Sequence, residues 1–212
     1  MCNNIELSPH FELREFTESA TARKHGIVNE PTDEAVENLR ALCVHTLEPL
    51  REALGLPIVI TSGYRCRALN ERIVHHAVKS QHMNGEAADF YVAQGPVSGS
   101  RDQVSGSRDQ VSGSRYQVSG NNLELETGAS PMELETGASP MQLETSSRRE
   151  LLIRAFRLII LDERIDYDQL ILYPAFIHVS YVRNGKNRGQ LTKASGNGKY
   201  QALSRAQALE LL

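Results

Sequence analysis

The sequence predicts an α+β domain, a small antiparallel sheet flanked by helices, interrupted by a long low-complexity insertion. Three observations carry this. An apolar stripe at helical spacing runs through Val36, Leu39, Leu42, Cys43, Leu47, Leu50 and Leu54. Short β-prone runs at 57–61, 87–92, 169–173 and 176–182 do not alternate regularly with helices, so the βαβ rhythm of a parallel sheet is missing. Two sets of tandem repeats fill residues 97–145.

In chain order, Phe11, Leu13 and Phe16 form a short apolar segment. Thr32 is placed to cap a helix, with Asp33 and Glu34 in its first turn, where the helix dipole favours acids. Pro49 lacks an N–H and must kink this helix or start a second one, and Gly55 ends it. Pro57-Ile-Val-Ile-Thr61 is a buried strand, and Ser62–Arg65 is the turn after it. A short helix is expected from Arg67 to about Val74 and a strand over Ala87–Val92. Leu151, Leu152, Ala155, Phe156 and Ile159 share one face of a helix over Arg148–Leu161. The strands at 169–173 and 176–182 are joined so tightly by Pro174-Ala175 that they must form a hairpin or bulged corner. A terminal helix is expected over Ala206–Leu212.

The insertion begins with a seven-residue unit, Val97-Ser-Gly-Ser-Arg-Asp-Gln103, which recurs at Val104 and Val111. A nine-residue unit, Leu125-Glu-Thr-Gly-Ala-Ser-Pro-Met-Glu133, recurs at Leu134. Units this short, rich in Ser, Gly, Glu and Thr, cannot bury a useful core, which predicts an outlying loop. The 49 residues of 97–145 leave 163 of the 212 for one folded domain spanning 1–212, and 11 of the 12 aromatic residues fall in that remainder. The formal charge of −3 argues against a nucleic-acid binder. No apolar run reaches the ~20 residues of a membrane span. Met1–Glu6 carries no secretory signal, so a cytoplasmic location is the default expectation. Three cysteines (Cys2, Cys43, Cys66) make a disulfide framework unexpected, and Cys43 falls on the apolar stripe as a core residue.

The chemistry concentrates in Ser80-Gln-His-Met-Asn-Gly-Glu-Ala-Ala-Asp89. Imidazole nitrogen and carboxylate oxygen are both zinc ligands, and Gly85 permits the chain reversal that lets His82 and Asp89 meet. A third candidate, His178, is embedded in the apolar strand Phe176-Ile-His-Val-Ser-Tyr181, where it projects opposite to Ile177 and Val179. Three protein ligands leave a zinc position open for chemistry. His10, His25 and His45 belong to no such group, and the adjacent His75 and His76 read as a surface loop.

Four blocks occur in the order found in zinc D-alanyl-D-alanine carboxypeptidases, a family related to lysostaphin-type and hedgehog zinc domains. They are Thr61-Ser-Gly-Tyr-Arg65, Ser80–Asp89, Tyr167-Asp-Gln-Leu-Ile171 and Phe176–Tyr181. The chain resembles this family, especially its phage and mobile-element members, over nearly its whole length outside 97–145. The resemblance implies a hedgehog/DD-peptidase-like fold and Zn²⁺ held by His82, Asp89 and His178. It implies Arg65 at the scissile carbonyl, Ser80 supporting the site and peptidoglycan stem peptides as substrate, in a monomer that a phage-type lysis route can release to the cell wall. Relatives carry a general base three residues before the last zinc histidine, where this chain has Ala175, or just after the DQLI block, where it has Leu172 and Tyr173. The candidates left are Asp168 as base and Tyr173 as a hydrogen-bond donor to substrate, with Asp166 and Glu86 nearby. A zinc-containing binding domain without hydrolysis is the alternative.

Overall fold

A computed structural model describes residues 5–73, 77–94, 140–195 and 198–211. The repeats up to residue 139, together with His75, His76 and Cys2, lie outside them. The fold is α+β, but its main sheet is larger than expected and mixed. Eight strands are β1 (Glu6–Ser8), β2 (Phe11–Glu12), β3 (Ile58–Ser62), β4 (Ala87–Val92), β5 (Gln169–Leu172), β6 (Ile177–Ser180), β7 (Gln190–Ala194) and β8 (Tyr200–Ala202). β1 and β2 form a small antiparallel pair, and the other six form one sheet in the order β3-β4-β6-β5-β7-β8. All neighbours in it are antiparallel except β5 and β7, which run parallel. Sequence reading misses β7 and β8 because Gln190-Leu-Thr-Lys-Ala194 and Tyr200-Gln-Ala202 are short and polar, and they extend only because a strand edge is there to pair with.

The helices are α1 (Leu13–Thr17), α2 (Ala20–His25), α3 (Asp33–Leu42), α4 (Glu48–Leu54), α5 (Arg67–Asn70), α6 (Pro140–Leu161) and α7 (Arg205–Leu209). Thr32 caps α3, its hydroxyl accepting from the Ala35 N–H. Pro49 acts as its chemistry requires. It cannot donate to the His45 carbonyl, the helix widens to a π-type turn over Cys43–Leu47, and the freed carbonyl accepts from the Asp166 N–H at 3.1 Å. The Thr46 hydroxyl donates to the Asp166 carbonyl at 2.6 Å, so this helix break anchors the chain just before β5. Helix α6 starts eight residues ahead of the expected Arg148, taking in the tail of the second repeat, and Pro140 opens it where a missing N–H costs nothing. Helix α5 stops at Asn70, shorter than expected.

The pleat sorts the sheet residues. Ala88, Val179, Leu170 and Leu191 stand in one paired row, and Phe90, Ile177 and Leu172 in the next. All are buried, and they share a core with Leu39, Leu42, Leu47 and Leu50 of the helical stripe and Leu152, Phe156 and Ile159 of α6. Asp89, His178, Ile171 and Thr192 pair in the row between them and therefore point to the other face. One apolar face against helices fixes the register, and the register fixes which polar groups are displayed together. Among the described residues no helix is long and apolar enough to cross a membrane, and Cys43 and Cys66 are free thiols.

Candidate metal centre

Asp89 and His178 are direct partners across β4 and β6. His82 arrives from a separate element, the 3₁₀ turn Gln81–Asn84 that precedes β4. The His178 Nδ1 to Asp89 Oδ1 distance is 2.8 Å, His82 Nε2 to His178 Nδ1 is 3.2 Å and His82 Nε2 to Asp89 Oδ1 is 3.4 Å. Ligands ~2.0–2.1 Å from a tetrahedral zinc lie about 3.3 Å from one another, so this triangle fits such an ion. No other group of three His, Cys, Asp or Glu side chains converges in this way among the described residues.

The triangle is supported by backbone groups and by two asparagine side chains. The Gly63 carbonyl receives His82 Nδ1 at 2.7 Å, which directs Nε2 inward. The Arg65 N–H donates to the His82 carbonyl at 3.1 Å, tying the Ser62–Arg65 turn to the His82 turn. Asn29 holds the other side, its amide donating to the carbonyls of Thr17 and Tyr64 and its oxygen accepting from the Cys66 N–H at 2.7 Å. Asn38 of α3 donates to the Asn84 carbonyl at 2.9 Å. At Gly85 φ is +72°, and a Cβ would sit 2.3 Å from the Ala35 carbonyl oxygen, so the turn can seat on α3 only with glycine there.

Electrostatics put the triangle in the state a cation needs. Burial pushes the Asp89 carboxyl up, but its close contacts with the His82 and His178 rings outweigh it and hold the acid well below the carboxylate range. Burial pushes His82 down, more than Asp89 raises it, which keeps the imidazole neutral and its lone pair available. Burial also lowers the Arg65 guanidinium, with Asp89 and Tyr173 opposing. Arg65 Nε is buried and makes no hydrogen bond among the described residues, as is also true of Arg51 Nε and Arg157 Nε.

The structure places Tyr173 at the end of β5, stacked on Phe176 with ring centroids 4.3 Å apart, and within electrostatic reach of Asp89 and Arg65. Its hydroxyl lies 3.2 Å from that of Tyr200. Burial pushes its phenol above the ordinary range, so it is a proton donor at neutral pH. Ser80 immediately precedes the His82 turn. Its carbonyl accepts from the Met83 N–H, and its side chain makes no capping bond.

Asp168 is not brought into the triangle. Its carboxylate is 3% exposed and held by the Arg188 side chain through Nε and Nη2, by the Arg188 N–H at 2.9 Å and by Gln81 Nε2 at 2.9 Å. The neighbouring candidates are also engaged elsewhere: Asp166 accepts from Asn187 and Glu86 from Asn84. Arg188, first among its partners, holds the Asp168 carboxyl below its usual range. A group depressed in the folded state stabilises fully above its unfolded value, ~3.9, and loses that contribution as pH falls through the folded value. Asp168→Asn is therefore expected to cost about 2–4 kcal/mol in urea unfolding at pH 7. The cost should shrink steadily below about pH 4; a deficit independent of pH would show that the charge of Asp168 is not what matters.

Arg188, Gln81, Asn29, Asn38 and Tyr200 are absent from the sequence-based site. Each acts across at least 20 residues of chain and none belongs to a local spacing pattern, so only Gln81, inside the His82 block, stood near a visible signal. A family model described as peptidase M15 matches residues 9–114, half of the chain, including Arg65, His82 and Asp89 but ending before His178. No curated protein and no solved structure matches the chain.

Proposed function

The chain belongs to the peptidase M15 family, and from that premise we propose that it is a zinc metallopeptidase that hydrolyses D-alanine-containing peptide stems of peptidoglycan, as carboxypeptidase or endopeptidase. The single observation behind this is the convergence of His82 Nε2, Asp89 Oδ1 and His178 Nδ1 at zinc-ligand spacing. In this reading the three side chains hold Zn²⁺, in a hedgehog/DD-peptidase-like frame, with 97–145 as a low-complexity insertion within the single domain. Zinc, when bound, polarises the scissile carbonyl and lowers the pKa of water. The residues do the rest. Arg65, within electrostatic reach of Asp89, offers its guanidinium to the carbonyl or carboxylate oxygen of the substrate. Tyr173 offers a protonated phenol beside it. Asp168, committed to Arg188 and Gln81, acts on the position of the His82 turn rather than on substrate.

The engagement of Asp166, Asp168 and Glu86 elsewhere favours the second reading, a zinc-containing binding domain without hydrolysis. Zinc-loaded protein incubated with stem peptides decides between them. Release of D-alanine or shortened muropeptides, sensitive to chelation, is the expected result. Zinc bound one to one with no turnover across stem peptides of different length and third residue would sink the peptidase reading and leave the binding domain. Asp168→Asn, assayed where it remains folded, should keep most of its turnover, whereas its abolition would restore Asp168 as the base.

A further inference from the structure

Strand β8, outside both the matched segment and every sequence block, delivers one more side chain to Tyr173. One residue beyond the last β5/β7 pair, Tyr173 stands level with Ala194, and Ala194 pairs with Tyr200 on β8. Tyr173, Ala194 and Tyr200 thus form one row across three strands, with alanine in the middle leaving room for the two phenols to meet. They do so with hydroxyls 3.2 Å apart and rings edge to face at 90°, while Phe176 stacks on the other side of Tyr173. Tyr200 is 61% exposed and so contributes little to the core. Its most specific contact is the Tyr173 hydroxyl. The carboxylates Asp166, Asp168 and Glu86 lie at the opposite end of the sheet and are occupied by Arg188, Gln81, Asn187 and Asn84. By strand alternation Tyr173 shares the face of Ile171, His178 and Asp89, and Tyr173 and Arg65 both lie within electrostatic reach of Asp89.

We propose that Tyr173 and Tyr200 work as a hydroxyl pair, Tyr173 donating a hydrogen bond to the oxyanion that forms at the scissile carbonyl and Tyr200 acting as its positioning residue. When Tyr200 donates to the Tyr173 oxygen, the Tyr173 proton is left to point at the substrate, and the chained hydrogen bonds strengthen one another. Phe176 and Tyr200 together restrict the ring of Tyr173, so the donor is held in place before substrate arrives. No proton is transferred in this role. The phenol keeps its O–H bond and stabilises charge, which distinguishes it from a general base. The inference rests on the peptidase reading for its substrate but names residues that reading does not require.

The test uses full-length zinc-loaded protein, its Tyr173→Phe and Tyr200→Phe variants, and two readouts. One is hydrolysis of a stem peptide. The other is calorimetric binding of a phosphinate analogue of that peptide, which resembles the tetrahedral state and needs no turnover. Tyr173→Phe should lower kcat by roughly 100-fold with KM within about threefold, and weaken the phosphinate by a similar factor. Tyr200→Phe should lower both by about three- to tenfold. Zinc affinity should not change in either, since neither phenol is a ligand. Unchanged kcat and phosphinate affinity in Tyr200→Phe overturn the pair, and so does a Tyr173→Phe effect confined to KM. A wild type that hydrolyses no peptide, yet loses phosphinate affinity in both variants, removes the peptidase reading and keeps the hydroxyl pair as the recognition element for a tetrahedral anion.

Discussion

His82→Ala is expected to abolish tight zinc binding and to lower turnover by roughly a thousandfold or more, about 4 kcal/mol of transition-state stabilisation. The ring is 2% exposed and contributes two things at once: Nε2 to the triangle and Nδ1 to the Gly63 carbonyl. Alanine removes a ligand, leaves a cavity and orphans that carbonyl, so some loss of stability accompanies the loss of metal. Asp89→Asn separates these effects. It keeps the volume and removes the charge that makes the site attractive to a cation. If the triangle is the metal centre, Asp89→Asn also loses zinc, by equilibrium dialysis, without the cavity that alanine leaves, while its metal-free form loses at neutral pH the stability that the depressed carboxylate contributes. Unit zinc stoichiometry retained in both variants would place the metal elsewhere and remove the basis of the proposed activity.

The second large effect falls on a residue with no side chain. Gly85→Ala should destabilise the protein by about 3 kcal/mol or more, from a left-handed backbone cost of ~1–2 kcal/mol and an overpacking cost of ~1–3 kcal/mol against the Ala35 carbonyl. Gly55 serves as the control. Its φ is +64°, but a Cβ there meets nothing within 4 Å, so Gly55→Ala carries the backbone cost alone. The difference between the two urea-unfolding free energies isolates the contact between the His82 turn and α3. If the two variants are equally unstable, α3 does not constrain the turn. If Gly85→Ala is the worse, its zinc affinity should fall as well, because displacing Gly85 displaces His82 three residues earlier.

These two residues mark where the sequence is most legible. His82, Gly85 and Asp89 fall within eight consecutive positions, and each has a local signal: a candidate ligand, a reversal, a candidate ligand in the strand that follows. The helix that Thr32 caps, the break at Pro49 and the strands at 58–62 and 87–92 are legible for the same reason, since capping, a missing N–H and a short apolar run act within a few residues, although only Ile58 of β3 is buried. The C-terminal half reads less well. β7 and β8 have no apolar signature of their own, and the parallel pairing of β5 with β7 depends on what the intervening loop packs against. That loop is held by Arg188 on Asp168 and by Asn187 on Asp166, contacts about 20 residues apart that no spacing rule announces. Asp168 illustrates the limit. As a lone acid beside the DQLI block it is a reasonable candidate base, and only its burial under Arg188 and Gln81 shows that its lone pairs are already spent.

The sequence by itself determined the class of fold, the helical stripe that makes the core and the identities of His82, Asp89 and His178 as a candidate ligand set, because residue type and short-range spacing decide each of these. Tertiary structure alone decided that Asp89 and His178 stand opposite each other across β4 and β6, that His82 reaches them from a turn seated on α3, and that Tyr200 meets Tyr173. The physical reason is the strand register. Burying one face of the sheet selects one alignment of β4, β6, β5, β7 and β8, and that alignment sets which distant polar residues share the other face.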